Sequence, residues 1–290
     1  MNLPEFLSNH KKAVLLDGAM GTQLAEAGLE MGGQTCITHP DAVLTIHRQY
    51  AECGVDMVTT NTLTMNRLSI ESHNIGVDVR EVNLAGAGLA GEAVREGQYV
   101  LGDMGSTGKM LKPYGNVSES EAYAAFAEQA AILAEGGVDG FIIETMFDLR
   151  EALCALRACK DSAELPVIVS MTFEHLRKEG RTVMGNSARD CAKALTEAGA
   201  SVVGANCGNI DPFQMAEIVS EMKEVTSLPI LAQPNAGKAR FVENRTVYDM
   251  TPSDFTDGVN RCLKAGARFV GGCCGTSPAH IRAVAALLAK

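Results

Sequence analysis

The sequence predicts an α/β fold of one domain, a (β/α)8 or TIM barrel over residues 1–290. Three observations carry this. Eight continuous apolar runs follow one another with helical stretches among them. Four times a helix ends in small residues and a glycine and passes directly into such a run. No linker, low-complexity tract or shift of composition divides the series, and about 250 residues is ordinary for such a barrel.

The runs cover 14–17, 57–62, 99–105, 140–145, 167–173, 201–207, 230–235 and 268–275. They are apolar without alternation, the pattern of parallel strands covered on both faces. Ala51-Glu52-Cys53-Gly54-Val55-Asp56 leads into the second run and Ala134-Glu135-Gly136-Gly137-Val138-Asp139 into the fourth. Glu197-Ala198-Gly199-Ala200 leads into the sixth and Lys264-Ala265-Gly266-Ala267 into the eighth. A glycine at each junction can take positive φ where the helix ends.

Helices are expected over 41–53, 118–135, 150–160, 187–198, 211–225, 253–265 and 278–288. Ser118-Glu119-Ser120-Glu121 supplies N-cap chemistry, and Pro212 and Pro278 sit near helix starts. The intervals 174–186 and 236–251 are too long for simple turns and rich in charge and glycine. They follow the fifth and seventh runs, so they belong over the C-terminal mouth, where such barrels place function. A doubly wound open sheet is the alternative; eight near-regular units favour closure.

The composition, 46% hydrophobic and 21% charged, suits a soluble globular protein with a large core. A net charge of −10 disfavours nucleic acid and anionic membranes as partners, because phosphate binding draws on Lys and Arg. The N-terminus lacks the basic and apolar regions of a signal peptide, and no run approaches the length of a membrane span. Nine cysteines, an odd number, without an export signal point to reduced thiols and a cytoplasmic protein.

Active sites of such barrels are built from the C-terminal strand ends. Here those ends bring Asp17, Asp103 and Glu144 together with Cys207 and the pair Cys273-Cys274. Adjacent strand residues point to opposite faces, so the pair can share one ion only if the chain turns there, and Gly271, Gly272 and Gly275 allow it. Three soft thiolates select zinc or Cu(I) over magnesium or calcium. Three protein ligands plus an open position is the arrangement of a catalytic zinc. Tight packing of small cysteines is the competing explanation, less natural for a vicinal pair among glycines. Cys36, Cys53, Cys154, Cys159, Cys191 and Cys262 lack ligand spacing and read as filler, and His39, His47, His175 and His280 as solvated or packed. Gly18-x-x-Gly21 is too short for a phosphate loop and lacks its lysine.

Asp17 precedes a glycine-rich turn and is either a turn former or a ligand contact. Glu144 ends an apolar strand and needs a partner, an ammonium group or a loop arginine. Asp103 either shares that role or caps the next helix. Asn235 after Pro234 makes a turn or reaches a ligand.

Gly271-Gly272-Cys273-Cys274-Gly275-Thr276, Asn206-Cys207, Pro234-Asn235-Ala236-Gly237 and Leu16-Asp17-Gly18-Ala19-Met20-Gly21-Thr22 together resemble the homocysteine S-methyltransferase family. The likeness covers essentially the whole chain and is strongest to the homocysteine-binding N-terminal barrel of cobalamin-dependent methionine synthase. The resemblance implies a zinc-dependent barrel that methylates homocysteine to methionine. It implies zinc on Cys207, Cys273 and Cys274, with homocysteine sulfur at the open position. It implies that Asp17 and Glu144 hold the substrate amino group and that backbone N–H groups at Gly18-Ala19 meet its carboxylate. Asn235 matches a position that can occupy the zinc when homocysteine is absent.

The sequence ends at Lys290, directly after the barrel, and shows no segment for a methyl donor. The absence of Trp counts against betaine, whose quaternary ammonium favours an aromatic cage. The loop from Gly105 to Gly115 resembles the synthase version, which favours methylcobalamin or a methylated corrinoid protein in trans. S-methylmethionine or S-adenosylmethionine is the alternative donor, and a non-catalytic zinc- or thiol-binding barrel the alternative role.

Overall fold

The computed structural model describes residues 1–176, 179–242 and 245–289. Its main sheet has eight parallel strands: β1 (Val14–Leu15), β2 (Met57–Thr59), β3 (Tyr99–Met104), β4 (Gly140–Met146), β5 (Val167–Met171), β6 (Val202–Asn206), β7 (Ile230–Gln233) and β8 (Phe269–Val270). They run in the order β1-β8-β7-β6-β5-β4-β3-β2. A parallel bridge between Leu16 and Met57 joins the two ends of that order, so the sheet closes into the expected barrel.

Continuous apolar strands are explained by burial on both sides. Val14, Leu16, Met57, Leu101, Ile142, Ile168, Val202, Leu231 and Phe269 form one buried cluster, which the N-terminal helix Leu3–Asn9 joins through Leu3 and Phe6. Their neighbours along the strands, such as Leu15, Val58, Val100, Ile143, Val169, Val203 and Val270, belong to a second cluster shared with the helices. The four junction glycines, Gly54, Gly137, Gly199 and Gly266, all take positive φ, at 81°, 82°, 86° and 114°. Each ends a helix and turns the chain into the next strand.

All seven expected helices form, as Pro40–Ala51, Glu119–Glu135, Leu149–Ser162, Ala188–Glu197, Pro212–Lys223, Pro252–Ala265 and Pro278–Leu288. Between β2 and β3, where the sequence pattern shows no helix, the chain forms Arg67–Ser72 and Val79–Ala93. Glycines at 86, 88 and 91 weaken the helical signal of the second. Gly86 is needed for packing, since a Cβ there would lie 2.5 Å from Thr62 Cγ2.

The two long intervals are not plain loops. Glu174–Leu176 pairs antiparallel with Glu179–Arg181, and Arg240–Val242 with Arg245–Val247. The second leads to Tyr248 beside the Gly275 turn at the mouth, whereas the first, expected there too, lies against the outer helices, with Gly180 N donating to Glu221 Oε1 at 3.2 Å; the tips, 177–178 and 243–244, lie outside the described residues. The connection after β3 is pinned by buried Glu151 from the helix after β4. Its carboxylate accepts from Thr107 N at 2.8 Å, Thr107 Oγ1 at 2.6 Å and Ser106 Oγ at 3.0 Å.

Candidate active site

The eighth strand stops at Val270, earlier than its apolar run suggests, and Gly271–Gly275 turn instead. Gly275 has φ 80°, and a Cβ on it would lie 2.2 Å from Tyr248 Cβ. Only glycine satisfies both constraints. The Thr276 N–H donates to the Cys273 carbonyl at 3.1 Å and closes the turn. As a result Cys273 and Cys274 face one point rather than opposite sides of a strand.

Cys207 comes to that point from the end of β6, two strands away. Its sulfur lies 3.9 Å from that of Cys274, and all three sulfurs fall within 4.8 Å of one another. Zinc–thiolate bonds of about 2.3 Å in a tetrahedron place sulfurs roughly 3.8 Å apart, so the triad fits such an ion. Hydrogen bonds from Cys207 and Cys273 draw the Cys274 thiol down to about 3. Its hydrogen bonds to Cys207 and Cys274, and burial, push Cys273 well up. Three thiols that share hydrogen bonds in this way can exchange their protons for a soft cation. The remaining six cysteines are free and buried elsewhere.

Asn206, the residue before Cys207, is wholly buried and organises this corner. Its Oδ1 accepts from Thr145 N at 2.9 Å and Ser170 Oγ at 2.8 Å. Its Nδ2 donates to Thr145 Oγ1 at 2.8 Å and Glu144 Oε2 at 3.2 Å, and lies 3.9 Å from Cys273 Sγ. Thr145 and Cys207 have φ of 59° and 56°, uncommon for residues with a Cβ. Such strain concentrates at functional sites and here persists where Asn206 fixes both strand ends.

Beside the thiols lies a cavity of about 300 Å³ lined by Asp17, Asp103 and Glu144 and by all three site cysteines. No Lys, Arg or His is among its lining residues. Asp17 accepts from Thr59 N at 2.8 Å and Thr59 Oγ1 at 3.2 Å, yet burial raises its pKa to about 7. Burial first, then the charges of Asp17 and Cys274, raise Glu144 to about 8. Among the described residues neither finds the arginine or lysine that a structural salt bridge needs. Asp103 caps no helix; it too lines the cavity.

Gly18 and Ala19 line the same cavity. The Ala19 N–H is already engaged, donating to Thr276 Oγ1 at 3.0 Å. The turn runs on into the helix Met20–Glu26, whose first amides have no partner within the helix, and Met20, Gly21 and Thr22 also line the cavity. Asn235 is buried just after β7, the strand between β6 and β8. Its Nδ2 donates to Gly208 O at 2.8 Å and its Oδ1 has no partner.

Sequence reasoning places Asn206 and Thr276 in motifs but gives them no role, and it passes over Thr59 and Tyr248. Their types are ordinary at strand ends and turns, and only contacts across the barrel reveal them. Among the histidines, His39 is exposed, His280 is tied to Ser277 and to Met250 O, and His47 is buried with neither ring nitrogen partnered. The His175 side chain lies outside the described residues.

Fold and site together define a parallel (β/α)8 barrel with three convergent thiols and a cavity lined by three carboxyl groups at its C-terminal mouth. The family described as homocysteine S-methyltransferase matches residues 14–288, and the chain belongs to that family. It is 31% identical to a methionine synthase of Mycobacterium leprae and 30% identical to one of Mycobacterium tuberculosis, over 97% of its own length. It spans about a quarter of those relatives, 24% and 25%. The homocysteine methyltransferase MmuM of Escherichia coli shares the fold. Its metallated form matches with a TM-score of 0.79 at 21% identity, over 97% of this chain and 98% of that one. Its oxidized form matches with a TM-score of 0.80 at 21% identity, over 99% of this chain and 100% of that one.

Proposed function

We propose that the protein transfers a methyl group to the thiol of homocysteine, giving methionine, with zinc on Cys207, Cys273 and Cys274. One observation carries this: three convergent thiols open onto a cavity with three carboxylates and no cation among its lining residues. Such a cavity asks for a ligand that brings an ammonium group at one end and a metal-seeking sulfur at the other. A zinc held there lowers the pKa of a sulfur in its open position and keeps it as thiolate near neutral pH.

The chain's own residues place that sulfur. Asp17 and Glu144 take the α-ammonium group. The turn at Gly18-Ala19, with the amides just after it, takes the carboxylate. Asn206 holds Glu144 in fixed relation to Cys273. Asn235, with its free Oδ1, fills the fourth position when substrate is absent. The methyl carbon then passes to sulfur: the donor–carbon bond breaks, its electron pair stays with the donor, and a carbon–sulfur bond forms.

The donor reading is a methylated corrinoid borne by a protein partner. The methionine synthase relatives support it, and so does the mouth. Among the described residues nine large apolar side chains are exposed, and six of them, Met31, Met110, Tyr114, Val183, Phe241 and Val242, lie on connections leaving the C-terminal strand ends. An apolar rim suits a macromolecular donor better than a small sulfonium. The protein works in the cytoplasm on this reading; among the described residues no helix is long and apolar enough to cross a membrane.

The test is a donor screen. Zinc-loaded protein is given homocysteine with methylcobalamin, S-methylmethionine, S-adenosylmethionine or betaine. Methionine from methylcobalamin supports the corrinoid reading, and methionine only from a sulfonium replaces it. No methionine with any donor sinks the methyltransferase. X-ray absorption separates a zinc store from an enzyme: added homocysteine must put one more sulfur on the metal.

A further inference from the structure

Asp103 is the carboxylate in the cavity that no role above accounts for. It lies at the C-terminal end of β3, is 5% exposed, and its Oδ1 is buried without a hydrogen-bond partner. Its backbone, by contrast, is clamped from both sides. Its N–H donates to Thr60 Oγ1 at 2.8 Å, and its carbonyl accepts from Thr62 Oγ1 at 2.7 Å. The two threonine hydroxyls are themselves bonded at 2.6 Å, and both residues are buried. The chain therefore fixes the position of this residue with care and leaves its Oδ1 unsatisfied.

A structural aspartate does the reverse, and satisfies its carboxylate with helix amides, hydroxyls or a cation. Thr59 does this in part for Asp17, and Asn206 for Glu144. Among the described residues nothing does it for Asp103 Oδ1. Burial and the neighbouring charges of Glu144 and Asp17 hold its carboxyl well above the usual carboxylate range. A group held in place at such expense is complete only when a ligand supplies donors.

An ammonium group has three N–H donors. We infer that Asp103 joins Asp17 and Glu144 in a three-carboxylate cage around the amino end of the substrate, so that Asp103 sets the preference for an amino-bearing thiol. This rests on the homocysteine reading of the site. It makes Asp103 a specificity determinant, since a thiol without the amino group leaves the cage unsatisfied and is rejected.

The experiment compares homocysteine with 4-mercaptobutanoate, the same thiol and carboxylate without the amino group. Binding to zinc-loaded wild type, Asp103→Asn and Asp103→Ser is measured by calorimetry, with zinc content and melting temperature recorded for each. Wild type is expected to prefer homocysteine by about 100-fold or more, and both variants to lose at least tenfold of that preference. Zinc content should not change, and the melting temperature of thiol-free Asp103→Asn should equal or exceed that of wild type. Variants that keep the wild-type preference overturn the role of Asp103 while leaving homocysteine as substrate. A fall of several degrees in melting temperature with the preference intact makes Asp103 a structural residue. Wild type that binds neither thiol overturns the homocysteine reading and this inference together.

Discussion

Asn206 donates from Nδ2 to Glu144 Oε2 at 3.2 Å, and this contact joins the two halves of the site. Glu144 belongs to the carboxyl-lined cavity, whereas Asn206 precedes Cys207 and approaches Cys273. Asn206→Ala would strip partners from Thr145 N, Ser170 Oγ and Glu144 in a buried place. Removing one partner from several buried groups is expected to destabilise by about 2–4 kcal/mol. The kcat/KM for homocysteine should fall at least tenfold while zinc still binds. Chemical denaturation and steady-state kinetics check this, and an unchanged kcat/KM would remove Asn206 as the link.

Thr276 makes a second link, between the thiol loop and the first strand. Its Oγ1 accepts from Ala19 N at 3.0 Å and donates to Cys273 O at 2.7 Å, and the residue is wholly buried. Thr276→Val keeps the shape and removes both bonds. A loss of about 1–3 kcal/mol in stability is expected, with a higher KM for homocysteine. Because the Gly18-Ala19 turn would then lose its tie to the thiol loop and its fixed position, the substrate carboxylate should be held less well than the thiol. If 2-mercaptoethylamine, which has no carboxylate, is weakened as much as homocysteine, the defect lies at the metal instead.

The barrel was legible because burial on both faces writes itself as unbroken apolar runs, and because Gly54, Gly137, Gly199 and Gly266 mark helix ends. The thiol triad was legible because vicinal cysteines among glycines have few structural uses. The helix Val79–Ala93 was not, since close packing against Thr62 demands the glycines that weaken helical signal. The hairpins were hidden by charge and glycine in short strands. Asn206 and Thr276 were hidden for a different reason. Their roles consist of hydrogen bonds to residues far away in sequence, as from Thr276 to Ala19, and no local pattern encodes such a partner.

Burial gives Asp17 a pH signature. Its pKa rises from 3.8 to about 7, so the folded protein binds this proton more tightly than the unfolded chain does. The sign follows from linkage: stability declines as pH rises from 3.8 towards 7, by about 4 kcal/mol in total for so buried a group. Asp17→Asn removes that slope, and comparison with it isolates Asp17 from the thiols. An ammonium ligand needs the ionised carboxylate, so the rise in melting temperature caused by homocysteine should grow between about pH 5 and pH 8 in wild type. It should be smaller and less steep in Asp17→Asn, where Glu144, raised to about 8, still titrates. A homocysteine shift that shrinks with pH in wild type contradicts the assignment of Asp17 to the amino group.

The apolar rim makes the last prediction. Phe241 is 74% exposed on the hairpin after β7, and nothing in the fold explains a large aromatic there. If the rim receives a protein that carries the methyl donor, Phe241→Ser leaves the site itself intact. Homocysteine binding, zinc content and turnover with free methylcobalamin should all match wild type. Turnover with a corrinoid-bearing protein should show a KM raised about tenfold, as expected when an aromatic anchor is lost from a docking surface. The same substitution should raise solubility, because an exposed apolar patch promotes self-association. Equal KM values for the protein-borne donor in the two proteins would leave the rim without this role, and would shift weight to a small donor that enters the cavity unaccompanied.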